Sequence, residues 1–533
     1  MESKRRLVDE LFAEWDRSDS PGCVLGIIWN GRFIHARGYG MANLEYDVPI
    51  TTKTVFRIAS VSKQFTAACI ALLVERGKLS LNDDVRIYIP ELPKYDHPVR
   101  VKHLIYHVSG IRDYLELMSL TGRSDDDYYT AEDVLELLSK QKTLNFNPGE
   151  RFLYSNSNYF LLGLIVERIS GISLRRFADE NIFKPLGMLN THFHDDHTMI
   201  VKNRAVGYSP RKGGGFRIDE TNLDIVGDGG IFTTVEDLYI WDQNFYDNKL
   251  EGGRRLIERM LTAGTLKNGE KINYAFGLRI GSYRGLRIIY HSGSFAGFRT
   301  QLMRFPKFKF TIICLANLSS INPTRLSKRI ADIYLAEHLG GVAESKFIKL
   351  PLEKLKVRVG VFRGEDGFTC KTYIENNELV LEFLGRRIRL KPLSENQFKS
   401  VNSPIDFNVE FGDCNGKSST LTLRIEDGKP EIFKAVKQVS PILSMLKEYV
   451  GEYFSEELET VYSLILRKSK LYFKYRNAPK EPLKPTVKDE FTVDSMSIQF
   501  MRKNGGRIVG FILNSRRAKH IYFKRIIGKD FAA

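Results

Sequence analysis

A serine that is to attack a carbonyl needs a neighbour able to take its proton, because an unassisted hydroxyl is hardly ionised at neutral pH. Ser60-Val61-Ser62-Lys63 offers such a pair. The run that follows, 64–76, carries Phe65, Ala68, Cys69, Leu72 and Leu73 at helical spacing. Ser60 then falls at the first turn, beside unsatisfied backbone N–H groups and the positive end of the helix dipole. Lys63 lies about one turn on, on the same face, within reach of the serine oxygen. S-x-x-K alone equally describes a capping serine with a surface lysine. The reading gains weight from two further motifs downstream, Tyr154-Ser155-Asn156 and His291-Ser292-Gly293.

The elements around these motifs indicate how they would be brought together. Residues 22–38 form a hairpin signal, two β-rich runs joined by Asn30-Gly31, a pair suited to a type I′ turn. The Ser60 helix comes next. A short helix is expected to end at the Gly of His107-Val108-Ser109-Gly110, and Tyr154-Ser155-Asn156 precedes a strongly periodic helix reaching Ser170-Gly171. Gly227-Asp228-Gly229-Gly230 leads to Thr234-Val235-Glu236-Asp237, a capping signal for a helix bearing Leu238 and Trp241. Three strand-like runs (286–291, 298–305, 308–315) and a last helix over 323–337 close the region. A hairpin, then helices, then strands and a helix predict an α+β domain, an antiparallel sheet flanked by helices.

After about Ser345 the chain changes to short alternating strands. Val359-Gly360-Val361-Phe362 is echoed by Val450-Gly451-Glu452-Tyr453, and Leu390-Lys391-Pro392 with Phe398 by Leu483-Lys484-Pro485 with Phe491. Offsets of 91 to 93 residues indicate a duplicated all-β unit, a small antiparallel barrel or sandwich. The expected organisation is a catalytic domain over 1–345 and two small antiparallel barrels over 346–443 and 444–533. In the second copy, residues 476–482 carry Pro479 and Pro482 where the first copy has a strand, so this segment is expected to leave the sheet.

Composition narrows the class. The chain has 533 residues, 43% hydrophobic and 27% charged, enough apolar side chains for real cores, and no apolar run of membrane-spanning length. Residues 1–15 mix charge with Leu7, Leu11, Phe12 and Trp15, an amphipathic helix rather than a secretion signal. Five cysteines without paired spacing read as reduced thiols of a cytoplasmic protein. The net charge of +16 is concentrated late: residues 461–533 hold 17 Lys/Arg against 5 Asp/Glu. These cations are scattered through alternating strands without a recognition-helix or zinc-finger pattern, which favours a solvated basic face over a nucleic-acid site. Neither a nucleic-acid nor a membrane partner is expected, and self-association into a homo-oligomer stays open.

Taken together, Ser60/Lys63, Tyr154/Asn156 and His291-Ser292-Gly293, in this order and at domain-scale spacing, resemble the penicillin-recognising serine hydrolases, in their class C β-lactamase and D-aminopeptidase branch. The resemblance covers roughly residues 10–340, and the D-aminopeptidases also resemble this chain in carrying two small β-barrels. It implies catalytic roles for Ser60, Lys63, Tyr154 and His291. The charge of Lys63 would favour the phenolate of Tyr154, which could take the Ser60 proton and later activate water, with Lys63 sharing that work. Which of the two is the acylation base stays open, because coupled groups do not titrate singly. The resemblance further implies that Asn156 binds the substrate amide and the Lys63 amine, that the N–H groups of Ser60 and Ser294 form the oxyanion hole, and that Gly293 keeps the strand edge clear for substrate. No cofactor or metal is implied.

His291 departs from the lysine usual at that place in β-lactamases and carboxypeptidases of this fold. A histidine is mostly neutral at pH 7, so a permanent carboxylate anchor is missing there. The expected activity is therefore acyl-enzyme hydrolysis of a small amide or peptide by a D-stereospecific aminopeptidase-like enzyme. The alternatives are a carboxylesterase with weak β-lactamase activity and a non-hydrolytic module that captures a ligand covalently. His192-Phe193-His194-Asp195-Asp196-His197 imitates the H-x-H-x-D-H zinc motif. It lacks the downstream ligands such a site needs and reads as a surface loop.

Overall fold

The computed structural model describes residues 2–124, 127–341, 346–401, 403, 407–414, 416–425, 429–476, 478–503 and 506–526. The chain divides into two compact units. The first takes in Met1–Tyr114, Asp125–Ser139 and Phe146–Val342.

At the centre of the first unit is a six-stranded antiparallel sheet. Its strands are β1 (Cys23–Trp29), β2 (Arg32–Tyr39), β3 (Arg279–Tyr283), β4 (Leu286–Phe295), β5 (Phe298–Phe305) and β6 (Phe310–Ala316), in the order β3-β4-β5-β6-β1-β2. β1 and β2 form the expected hairpin, with Asn30 and Gly31 both at positive φ, 49° and 74°. β1 and β6 are buried almost end to end because both faces of the sheet are covered, so they show no alternation. On one face α1 (Glu2–Phe12) and α5 (Pro323–Tyr334) close a core of Val8, Phe12, Ile330 and Tyr334 against Leu25, Ile27, Ile312 and Phe310. Cys23 and Cys314 belong to this core; they, Cys69 and Cys370 are buried and unpaired. The side chain of Cys414 lies outside the described residues.

The other face carries α2 (Lys63–Glu75), α3 (Asn156–Ser170) and α4 (Val235–Asn244). In α2 every residue from Lys63 to Leu73 is buried, which marks a central helix enclosed on all sides. α4 opens on Thr234, whose hydroxyl accepts the Asp237 N–H, and its Trp241 Nε1 donates to Gln64 Oε1 at 2.6 Å. α3 ends at Gly171 in the left-handed conformation, φ 74°. The helix before the Ser109-Gly110 turn is shorter than expected: it covers Val101–Ile105, and His107 already takes a positive φ of 55°.

The second unit comprises Leu115–Ser124, Lys140–Asn145 and Ala343–Ala533. Eight strands from Gly360–Arg363 to Glu431–Val436 close into an antiparallel barrel around Phe362, Leu381, Phe411 and Leu421. A second antiparallel sheet of eight strands follows between Gly451 and Arg525. The described residues after Lys470–Lys474 leave its ladder until Lys484–Pro485, at the two prolines; Asn477 lies outside the described residues. Two stretches from the middle of the chain also belong to this unit. The Arg517 N–H donates to Glu116 Oε2 at 2.7 Å, Tyr462 OH to the Leu120 carbonyl at 2.7 Å, and Gln141 Nε2 to the Glu457 carbonyl at 2.9 Å.

Beneath α4 lies a buried ion pair, Arg304 Nε to Asp242 Oδ1 at 2.6 Å with both side chains 1% exposed, to which the Thr311 hydroxyl adds a 3.0 Å bond. Replacing one partner leaves an uncompensated charge, which costs about 3–5 kcal/mol. Arg304→Met should therefore lower the urea-unfolding free energy of the full chain by that order, and Arg304→Met with Asp242→Leu should recover most of the loss. A single variant as stable as the parent would refute this account.

Candidate active site

Ser60 stands in a 3₁₀ turn, Ala59–Ser62, that runs straight into α2. Ala59 has φ 47°, a left-handed conformation that a non-glycine residue adopts at a cost of about 1–3 kcal/mol. The surroundings hold the turn there. Thr300 Oγ1 on β5 donates to the Ile58 carbonyl at 2.9 Å, and Ser62 Oγ accepts the Ile231 N–H at 3.1 Å. Two glycines let neighbouring backbone come close. A Cβ on Gly293 would lie 2.3 Å from the Ile58 carbonyl oxygen, and one on Gly277 (φ 67°) would lie 2.4 Å from the backbone of Lys63 and Gln64. Gly293 is thus required by the protein's own main chain. This is a reason for a glycine beside the expected one, a strand edge kept clear for substrate.

Lys63 is fully buried, and its amine donates to Ser60 Oγ at 3.3 Å, to Asn156 Oδ1 at 2.9 Å and to the Asp228 carbonyl. Three acceptors match the three donors of an ammonium. The same amine lies 4.9 Å from the ring centre of Tyr154, whose buried hydroxyl has no hydrogen-bond partner among the described residues. The Asn156 N–H, at the start of α3, donates to Asp113 Oδ2 at 2.7 Å. This caps one of the orphan amides of the helix end and fixes the amide side chain that reaches Lys63. His107 stacks against Tyr154 at 4.3 Å between ring centres, and its Nδ1 accepts the Ser155 N–H at 3.2 Å. The structure therefore brings Ser60, Lys63, Tyr154 and Asn156 together from two separate stretches of chain.

A buried carboxylate completes this cluster and had no motif of its own. Asp228, 7% exposed, accepts from Tyr114 OH at 3.2 Å. Burial raises its pKa to about 6; nearby Asp113 pushes the same way and Lys63 opposes. The signal available in sequence was a lone acid among the glycines of Gly227-Asp228-Gly229-Gly230.

His291 is in place but closed off. It is 3% exposed, its Nδ1 lies 2.7 Å from the Ser292 carbonyl and its Nε2 3.1 Å from Tyr274 OH. The Nδ1 proton goes to the carbonyl, leaving Nε2 to accept from the phenol. Burial first, then Arg279 and Lys63, push its pKa down to about 3, so the ring is neutral. The fixed cation of this corner is Arg279, which sequence reasoning did not single out. It is the end residue of β3, opposite Tyr290 of β4, with its guanidinium 5.7 Å from the Tyr274 ring centre. Because β3 stops there, residues 291–295 of β4 pair with β5 on one side and with no described strand on the other. The edge that includes Gly293 and Ser294 is open to an extended ligand.

The histidine-rich stretch 192–197 does not converge on a point. His192 Nε2 is 3.3 Å from His194 Nδ1, whereas His197 Nδ1 turns to Asp224 Oδ2 at 2.8 Å. Burial, then Arg204 and Arg57, hold His194 down to about 3, a cation-rich setting in which a metal ion would be repelled.

A serine, a lysine and a tyrosine in contact, next to an open strand edge in a sheet covered by helices, define a serine hydrolase of the penicillin-recognising kind. Residues 5–337 match the beta-lactamase family, and the chain belongs to it; it is a serine hydrolase. Similar proteins include penicillin-binding protein 4* of Bacillus subtilis (strain 168), 30% identical over 455 residues, 81% of this chain and 98% of that protein. D-aminopeptidase of Brucella anthropi is 24% identical over 528 residues, 95% of each chain. Among solved structures, the octameric penicillin-binding protein homologue from Pyrococcus abyssi shares 27% identity at a TM-score of 0.58, covering 81% of this chain and 99% of that one. No helix among the described residues is long and apolar enough to cross a membrane.

Two outcomes follow from this geometry. Tyr154→Phe removes the unpartnered hydroxyl and should lower kcat by roughly 10²–10⁴, the range of a general acid–base group; a near-parental rate would leave the base role to Lys63. Asp228 ionises near pH 4 in an unfolded chain but near 6 in the fold, so its burial penalises the native state increasingly from pH 4 to 6 and fully above. Asp228→Asn should accordingly gain stability relative to the parent, by up to about 3 kcal/mol, between pH 4 and 7. Denaturant unfolding at the two values measures the shift, and a difference independent of pH would contradict it.

Proposed function

We propose that this protein cleaves a small D-configured amide or peptide at its N-terminal residue through an acyl-enzyme on Ser60. The observation that carries the reading is the Lys63 amine, shared between Ser60 Oγ and Asn156 Oδ1 with the unpartnered phenol of Tyr154 beside it. In the reaction so read, Tyr154 takes the Ser60 proton as Oγ attacks, with the Lys63 amine 4.9 Å from its ring centre. The N–H groups of Ser60 and Ser294 receive the oxyanion, and Asn156 orients the scissile amide. The proton then passes from Tyr154 to the leaving amine, and the same phenolate activates the water that frees the enzyme. Support for the substrate class comes from the D-aminopeptidase of Brucella anthropi, whose likeness covers 95% of the chain and so includes its C-terminal β-rich part.

Arg279 favours a second reading of the leaving side. The sequence reading took the lack of a lysine at His291 to mean that no fixed carboxylate anchor exists. A guanidinium beside the neutral imidazole, at the start of the open edge, can serve as one. On this reading peptides with a free C-terminal carboxylate are accepted beside simple amides.

Ser60→Ala should abolish hydrolysis of D-aminoacyl amides with no loss of thermal stability; turnover within tenfold of the parent would sink the assignment. Arg279→Ala should raise KM for D-alanyl-D-alanine about tenfold or more relative to D-alanine amide. An equal change for both substrates would show that Arg279 does not meet the carboxylate.

A further inference from the structure

Three cations of the first unit gather around one pocket without an acid among its lining residues. Arg100, Lys102 and Lys267 line one open pocket of about 570 Å³, together with His97 and His103, and no aspartate or glutamate lines it. None of the three cations forms an ion pair among the described residues. Their hydrogen bonds go to neutral groups: Arg100 to the Asn82 carbonyl and Lys102 Nζ to Asn82 Oδ1 at 2.8 Å. Lys267 is exposed, its stem lying over Gly149 at the pocket wall. The rest of the wall is apolar or aromatic, with Pro98, Leu266 and the ring of Tyr106.

All three charges bear on His103, which lines the same pocket. Burial first, and then Lys102, Arg100 and Lys267 in turn, push the pKa of His103 down to about 4. His103 is held neutral chiefly by burial, its Nδ1 accepting the Arg100 N–H at 3.0 Å, and an incoming anion would offset the part contributed by the three cations. Like charges gathered in a concavity repel one another unless something compensates them, and concave walls focus their field. The volume falls within the range of pockets that take drug-sized ligands.

We propose that this pocket is a binding site for a small phosphate-bearing anion of nucleotide size, its phosphates among Arg100, Lys102 and Lys267 and its apolar body against Tyr106, Pro98 and Leu266. Phosphate suits the chemistry better than a single carboxylate because two or three negative charges are needed to balance three fixed cations. The pocket is separate from the Ser60 cluster, and none of its residues has a part in the proposed hydrolysis.

Calorimetric titration of the full-length protein with ADP, inorganic pyrophosphate and adenosine tests this. ADP and pyrophosphate should bind saturably at one site, more weakly at high salt, and adenosine should not bind measurably. Lys267→Glu and Lys102→Glu should each weaken ADP binding at least tenfold while leaving the thermal midpoint and the amide-hydrolysis rate unchanged. The Lys267 side chain is exposed and has no hydrogen-bond or ion-pair partner among the described residues, so its variant stays informative even if Lys102→Glu disturbs the Asn82 contact. Absence of saturable binding by both phosphate probes, adenosine binding as tight as ADP, or undiminished ADP affinity in Lys267→Glu would each overturn the proposal.

Discussion

A lysine ammonium taken out of water costs several kcal/mol unless each of its protons meets an acceptor and an opposite charge lies near. Lys63 is fully buried, and much of the first unit can be understood as the answer to that demand. Its three acceptors come from the 3₁₀ turn, from the start of α3 and from the glycine-rich loop before α4. Each must be held to within a few tenths of an ångström for the bonds to form. The carboxylate that provides the opposite charge, Asp228, is held by the Tyr114 hydroxyl, and Asp113 holds the Asn156 N–H at the start of α3. Moving any one of these segments would leave the cation short of a partner, so the site and the packing around it are a single construction.

The same demand explains why strain is tolerated beside the nucleophile. Ala59 at φ 47° would relax in isolation, but the Thr300 hydroxyl and the close backbone of Gly293 and Gly277 hold the turn from two sides. The Ser60 hydroxyl is thereby presented at a fixed angle to the open edge of β4, with little freedom lost when a substrate binds.

Much of this was legible in the sequence, for physical reasons that differ by feature. S-x-x-K, Y-x-N and H-x-G each join residues that must be near neighbours for chemistry, so local spacing betrays them. The Asn30-Gly31 hairpin and the Thr234 cap are written in backbone preferences that act over a few residues. Arg279 and Asp228 escaped because their roles arise from tertiary approach: one ends a strand beside His291, the other is buried against Tyr114. Gly293 was marked as a place that needs a glycine for the sake of the strand edge, but sequence cannot reveal that the Ile58 carbonyl also lies against it. His291 read rightly as neutral, yet its engagement by Tyr274 and the Ser292 carbonyl depends on contacts no pattern encodes. The inclusion of Leu115–Ser124 and Lys140–Asn145 in the second unit was equally invisible, because both stretches lie inside what reads as one continuous domain.

That last feature bears on how the protein is made. Glu116 accepts a bond from the main chain of Arg517, 401 residues further along. A ribosome adding about 5–20 residues per second delivers that partner roughly 20–80 s after Glu116 has been synthesised. Throughout the interval the early stretch lacks the partners it has in the finished unit, and water serves its acceptors instead. Folding therefore cannot proceed as a simple succession from the amino end, and any cut that removes the last strands also takes away the partners of a segment near the middle of the chain. The C-terminal strands are in this sense the closing step of assembly, and a shortened transcript would yield an unfinished second unit rather than a smaller whole.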